Sequence, residues 1–308
     1  MKTIKTFLIL IILGTLFFIV NTYKNVISKF IIRNFIVDYS IVLDNPNSYY
    51  KENDFSYFES TDNFFPENKE ELIKVFYTIL NNGWNEFAFF CAEDYSECVN
   101  DIKQLTTTDK TLSNLNSFIH PFNNYKKLQI EINSFGKVFV NVEKIYNEND
   151  IKIINEKIDQ IIALNITNDM NTKDKIKVFH DYIANNTKYD TAEANIITSN
   201  GNTEGLLSYK ATNVLFSGLG LCGGYTDTMA IFLNKLGIVN YKISNYNHVW
   251  NYIKLDNWYH LDLTWDDPVI TNGADTIIYD FFLITTKELE KIDTSQHLYD
   301  KNIYIEAN

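Results

Sequence analysis

One arginine, Arg33, stands in the whole chain, and the 27 basic residues face 39 acidic ones, for a formal charge of -12. Nucleic-acid binders concentrate positive charge to displace counterions from phosphates, so this balance argues against that class of partner. The near-absence of guanidinium forks argues equally against bidentate phosphate recognition. Cysteine is scarce, at three residues, and no two of them have Cys-x-x-Cys spacing, which removes the zinc-knuckle reading. Proline is also scarce, at four, and glycine reaches only 11. No internal repeat or phosphate-binding glycine loop is present. With 45% hydrophobic and 21% charged residues over 308 positions, the composition is that of a folded protein with one large or two ordinary domains, not a disordered, collagen-like or polytopic membrane chain.

The N-terminus points to export. Lys2 and Lys5 precede an uncharged run from Phe7 to Val20, the basic and apolar regions of a secretory signal. Asn21-Thr22-Tyr23-Lys24 follows without a small-x-small cleavage site, so residues 1–36 are expected to be an uncleaved membrane anchor and juxtamembrane segment, with cleavage and secretion as the alternative. Val26, Ile27, Phe30, Ile31 and Ile32 would extend it as an amphipathic stretch along the membrane. The expected location is therefore extracytoplasmic, with the membrane as a partner. Cys91 and Cys98 suit a local disulfide in an oxidising compartment, which leaves Cys222 as the odd thiol.

After a turn-rich linker at Asp44–Ser48, an α+β module is expected over 48–147. It would contain a helix from Glu67 to Asn82 stopped by Gly83, and a hairpin of Leu128–Ile132 with Val138–Val142. A second domain, 148–308, would open with amphipathic helices over Asn149–Leu164 and Thr172–Ile183, and Asn195–Gly205 reads as a surface loop.

The chemistry concentrates in the last third. Gly218-Leu-Gly-Leu-Cys222-Gly-Gly-Tyr225 leads into an apolar-periodic stretch, Thr226–Leu236, which places Cys222 at a helix N-terminus. Exposed amide N–H groups and the helix dipole stabilise a thiolate there and can cradle an oxyanion. A thiol nucleophile needs a base, and the base needs an orienting partner. His248 and Asp262 supply these types on two consecutive strands, Asn247–Asn251 and Trp258–Trp265. Side-chain parity tests the pairing: Ile243, Val249 and Ile253 in one strand, and Tyr259, Leu261, Leu263 and Trp265 in the next, are all odd-numbered. If both sets face the core, the connecting loop must contain an odd number of residues. Leu255-Asp256-Asn257 fits, with Asn257 in the left-handed position, and puts His248 and Asp262 together on the other face, His248 opposite Thr264 or Asp262.

These residues resemble the transglutaminase-like superfamily, relatives of papain-type cysteine proteases. The resemblance rests on Leu221-Cys222-Gly223-Gly224-Tyr225, His248-Val249-Trp250-Asn251 and Trp258 through Pro268, in order, and continues more loosely through Phe282–Thr285 to His297. It implies a papain/transglutaminase-like α+β core, with Cys222 as nucleophile, His248 as general base and acid, and Asp262 as orienting carboxylate. The implied reaction is acyl transfer on protein or peptide amides through a thioester, with an amidase or peptidase as the alternative and no cofactor or metal. An inactive, membrane-tethered binding module is the alternative from another class. His260, on the same strand face as Asp262, is the competing base. Asp266 and Asp267 read as turn caps, and Trp250, Trp258 and Trp265 as packing residues. His180 reads as structural. Cys222, His248 and Asp262 have acceptable ligand types for zinc, but a helix-start cysteine favours a nucleophile.

Overall fold

The computed structural model describes residues 2–24, 27, 41–52, 55–92, 94–107, 111–133, 135–201, 205–269, 276–292 and 295–308. The N-terminal run is helix α1 (Lys2–Thr22), whose apolar side chains from Ile12 to Val20 are exposed. Among the described residues no helix is long and apolar enough to cross a membrane, so the expected membrane-spanning anchor finds no support. The expected amphipathic continuation lies, apart from Ile27, outside the described residues.

Ordered contacts begin earlier than the expected start at Ser48. The Trp84 indole N–H donates to the Asp44 carbonyl at 3.2 Å, and the Asn47 N–H donates to that of Asn82 at 2.9 Å. Helix α2 (Lys69–Asn82) starts where the Asn68 side chain accepts from the Glu71 N–H and stops at Gly83, whose φ of 71° is cheap only for glycine. Strand β1 (Glu86–Phe90), helices α3 (Cys98–Thr107) and α4 (Thr111–Phe118), and the hairpin β2 (Tyr125–Ile132) and β3 (Lys137–Lys144) complete this region, with antiparallel order β1-β3-β2. Val138, Val140 and Val142 of β3 point to one buried face, as strand alternation requires. The Cys91–Cys98 disulfide ties the end of β1 to the start of α3.

Helix α5 (Glu148–Asn165) begins with a reciprocal cap between Asn147 and Asp150, followed by α6 (Thr172–Asn186) and β4 (Lys188–Tyr189). Residues 191–200 form helix α7 (Thr191–Asn200), so the first part of the expected surface loop, up to Asn200, is helical, and residues 202–204 of it lie outside the described residues. Asp190 caps the helix through the N–H groups of Ala192 and Glu193, and a left-handed Gly201 ends it. Helix α8 (Ala211–Ser217) and strand β5 (Leu219–Gly220), parallel to β4, lead into α9 (Cys222–Lys235). The chain then builds the antiparallel sheet β6 (Asn240–Ser244), β7 (Val249–Lys254) and β8 (Trp258–Leu261). It ends with α10 (Leu263–Asp266) and α11 (Thr286–Ile292) before an irregular tail.

Two apolar clusters sandwich the β6–β8 sheet. One joins Ile158, Phe179, Met229 and Phe232 of the helices to Ile253, Leu261 and Leu263, with the Phe179 and Phe232 rings stacked at 3.9 Å. The other joins α2, α4 and the β1–β3 sheet to Tyr241, Ile243, Trp250 and Tyr252 on the opposite face, together with Tyr304 and Ala307 of the tail. The apolar core of residues 55–142 is thus continuous with the sheet of the C-terminal half. Burying a large apolar side chain contributes roughly 1.5–3 kcal/mol, so a sheet filled on both faces holds its register firmly.

Candidate active site

Cys222 is the first residue of α9, and Leu221 before it offers no side-chain cap, so the first-turn amides keep their donors. The thiol is partly exposed. Gly224 lets this turn sit against the preceding chain, because a Cβ there would collide with the Ser208 carbonyl. Two cross-links fix the helix start against β7. The Thr226 hydroxyl donates to the Val249 carbonyl at 2.9 Å, and the Asn251 side-chain amide donates to the Thr226 carbonyl at 3.0 Å.

The β7–β8 register pairs Lys254 with Trp258, Ile253 with Tyr259, Tyr252 with His260 and Asn251 with Leu261. The connecting loop is therefore Leu255-Asp256-Asn257, of odd length as the apolar pattern requires, with Leu255 N–H donating to the Asn257 carbonyl at 2.8 Å. Three parts of the expectation are corrected. Asn257 is not left-handed; among the described non-glycine residues only Leu283 has positive φ. Ile243 lies on a separate strand, β6, and pairs with Trp250, so it shares the face of Trp250 and Tyr252 rather than that of Ile253. The His248 face is also no less buried than the other, because residues 55–142 and the tail cover it.

The second strand stops at Leu261 instead of running to Trp265, so His248 has no strand partner at Thr264. Asp262 caps α10: its Oδ1 accepts from the Thr264 and Trp265 N–H groups at 3.0 and 3.2 Å. That leaves Oδ2, which accepts a short bond from His248 Nε2 and another, at 2.8 Å, from His297 Nε2. The Cys222 thiol lies near enough to the His248 ring to help raise its pKa. The structure thus brings Cys222, His248 and Asp262 together and adds a residue that the sequence reading assigned no role.

Charge follows geometry. Burial disfavours the protonated His248 ring, but the charge and hydrogen bond of Asp262 and the nearby Cys222 outweigh it, raising its pKa to about 10. Burial alone would raise the Asp262 pKa, yet the charge and hydrogen bond of His248 and the bond from His297 hold it well below the usual carboxylate range. His297 has a fully buried side chain, stacked on Phe281 at 4.9 Å and edge-on to Trp250 at 4.8 Å. Asn245 fixes its segment by donating to the Gln296 and Leu298 carbonyls. The only sequence signal for it was the family resemblance running on to that position.

His260 is committed elsewhere. Its Nδ1 accepts from the Trp250 indole at 3.0 Å, so Nε2 carries the proton and donates to the Thr286 hydroxyl at 3.1 Å. Burial lowers its pKa to about 3, which keeps it neutral. Asp266 is buried and joins His180 Nε2 at 3.1 Å to the Phe281 N–H at 2.9 Å, so it is a tie between segments and not a simple turn cap. Asp267 likewise links the Tyr225 hydroxyl at 2.7 Å and Lys188 at 3.1 Å. His248, Asp262 and His297 offer ligand atoms within 4.8 Å of one another and could face a cation. In the fold, both imidazoles direct Nε2 at the carboxylate instead.

Residues 160–263 match the family model of the transglutaminase-like superfamily. The match covers about a third of the chain, which is similar to that superfamily over this segment. The match takes in Cys222, His248 and Asp262 and ends before His297. Similar solved structures include a TGase, at 17% identity and a TM-score of 0.34, covering 55% of this chain and 50% of that one. Another is a "Putative Cysteine Protease from Cytophaga hutchinsonii", at 13% identity and a TM-score of 0.25, covering 49% of this chain and 65% of that one. The protein therefore spans about half and about two thirds of their lengths. No curated protein matches the chain. Outside the matched segment, the region before residue 160 supplies one covering layer of the β6–β8 sheet.

Proposed function

We propose that the protein is a thiol-dependent acyltransferase acting on carboxamide or amide groups of proteins or peptides. The observation that carries this reading is the placement of Cys222 at an uncapped helix start near His248, whose Nε2 is bonded to Asp262. His248 holds the proton and Cys222 attacks as thiolate. The new C–S bond pushes the carbonyl electron pair onto oxygen, where the first-turn N–H groups of α9 receive it. Collapse expels ammonia or an amine, which takes the proton from His248, and a thioester remains. A second amine, or water, then attacks; His248 accepts its proton, and the thiolate leaves. Asp262 keeps the imidazole oriented and supports its positive charge, and His297 keeps the carboxylate aimed. The Cys91–Cys98 disulfide supports a location outside the reducing cytoplasm.

The test is incubation with a glutamine-bearing protein and a labelled primary amine, recording amine incorporation and ammonia release together. Both should require Cys222. Incorporation identifies an amine acceptor, whereas ammonia without incorporation identifies water. Absence of both, with peptide amides also uncut, would remove the reading.

A further inference from the structure

Behind Asp262 lies a second pairing of carboxylate and imidazole that the thiol chemistry does not use. Asp266 and His180 both have fully buried side chains, and Asp266 Oδ2 lies 3.1 Å from His180 Nε2. The other ring nitrogen, Nδ1, lies 3.0 Å from Asp181 Oδ1, and Asp181 also accepts from Lys177 and, at 3.0 Å, from the Tyr279 hydroxyl. Tyr279 and Phe282 close over the imidazole, with ring centroids at 5.6 and 5.1 Å. Burial alone would lower the His180 pKa, but the bonds and charges of Asp181 and Asp266 outweigh it and raise it. Burial also raises the Asp266 pKa, against the pull of His180. Whichever of the two holds the proton, the hydrogen bond between them stands.

Asp266 carries this fixed point to the active site through Phe281. Its Oδ1 accepts from the Phe281 N–H at 2.9 Å, and its carbonyl accepts from the Ile278 N–H at 2.9 Å. The Phe281 carbonyl accepts from the Asp262 N–H at 3.0 Å. Phe281 is therefore held at both backbone polar groups, one by each aspartate. Asp262 caps α10 and Asp266 ends it, and the Asp266 N–H donates to the Asp262 carbonyl at 3.1 Å. A helix of four residues cannot hold its shape alone, because one turn does not repay the cost of nucleation. The aim of the Asp262 carboxylate thus depends on what clamps the far end of α10. That clamp is pinned on both sides of Phe281, by Tyr279 on Asp181 and by Ile284, which exchanges backbone hydrogen bonds with His260.

We propose that Asp266 and His180 are positioning residues for the active site, holding α10 and the Asp262 main chain so that the carboxylate stays on His248. The proposal rests on the reading of Asp262 as partner of the general base. It gives His180, which the sequence marks only as structural, a role in turnover through a residue it does not touch.

The test compares the full chain as wild type, Asp266→Ala, Asp266→Asn and His180→Gln, by kcat and KM for carboxamide turnover, the His248 titration followed by NMR, and the melting temperature. Asp266→Ala should lower kcat about 10- to 100-fold with little change in KM. The His248 titration should fall from about 10, because a displaced carboxylate supports the imidazolium less. Asparagine keeps an acceptor for the Phe281 N–H and a donor for a neutral His180, so Asp266→Asn should recover most of the lost kcat and the titration. His180→Gln has one amide for two carboxylates and should fall between the two, which keeps the test decisive if Asp266→Ala does not fold. The titration is read without turnover, so a protein that proves to turn over no carboxamide would remove the reading of the reaction and still answer for the positioning. A lowered melting temperature with the His248 titration unchanged or raised in the folded variants would overturn the proposal, as would an Asp266→Asn variant no better than alanine.

Discussion

His297 and His248 direct their Nε2 atoms at the same oxygen of Asp262, one from the C-terminal tail and one from the start of β7. Because Asp262 spends its other oxygen on the cap of α10, the carboxylate is held on every side and cannot swing away from the imidazole. Replacing His297 by leucine should lower kcat about 10- to 100-fold with little change in KM, the usual cost of losing a group that orients a ligand or base. Glutamine, which retains a donor, should recover part of it. The discriminating readout is the His248 titration followed by NMR: it should rise in the leucine variant, because Asp262 loses a donor that competes for the same oxygen. An unchanged titration with reduced kcat would assign His297 a packing role only.

The opposed shifts of Asp262 and His248 make stability depend on pH at both ends. For Asp262 the folded pKa lies below the ordinary 3.8, so its contribution is complete above that value and is lost as pH falls through the depressed one. For His248 the folded pKa is above the ordinary 6.5, so its contribution is complete below that value and is lost as pH rises through about 10. Unfolding midpoints measured across pH should therefore decline at both extremes. The double variant Asp262→Asn/His248→Gln should show a flatter profile; an identical profile would contradict the charge assignments.

His260 tests the choice of base. His260→Phe should leave kcat within about threefold of wild type while lowering stability by about 1–3 kcal/mol, because the Trp250 indole loses its buried acceptor. His248→Ala should abolish turnover. Loss of turnover in His260→Phe with a normal melting temperature would transfer the base to that residue.

Gly224→Ala should displace the start of α9, since the new Cβ meets a backbone carbonyl that cannot move cheaply. Overpacking of this kind costs about 1–3 kcal/mol. The expected result is a lowered melting temperature together with slower alkylation of Cys222, measured by mass spectrometry. Gly223, whose Cβ would meet the Tyr209 ring at 3.0 Å, should tolerate alanine better.

Much of this site was legible in the chain because local rules and apolar periodicity agreed. The odd loop at 255–257 followed from alternation alone: an even loop would have turned Leu261 or Ile253 away from the α9 core. Cys222 at a helix start followed from glycines ahead of an apolar period. The errors arose where tertiary contacts decide. The strand ends at Leu261 because Asp262 caps a short helix, and a single aspartate before Leu-Thr-Trp does not announce that choice. Ile243 changed face because Asn245 to His248 is a turn that divides one apparent strand into two. Residues 195–200 were read as part of a loop for their polarity, yet they belong to a helix, Thr191–Asn200, capped by Asp190, whose other oxygen accepts from Ser208. His297 lies 35 positions from Asp262, and no local pattern connects them.

The most direct measurement is the intact mass of the protein after brief, acid-quenched incubation with a glutamine-bearing peptide. The account predicts a peptide adduct lighter by one ammonia, mapped to Cys222, removed by hydroxylamine and absent in Cys222→Ala, with turnover also absent in that variant. Turnover that persists in Cys222→Ala, or an adduct mapped to another residue, would contradict it.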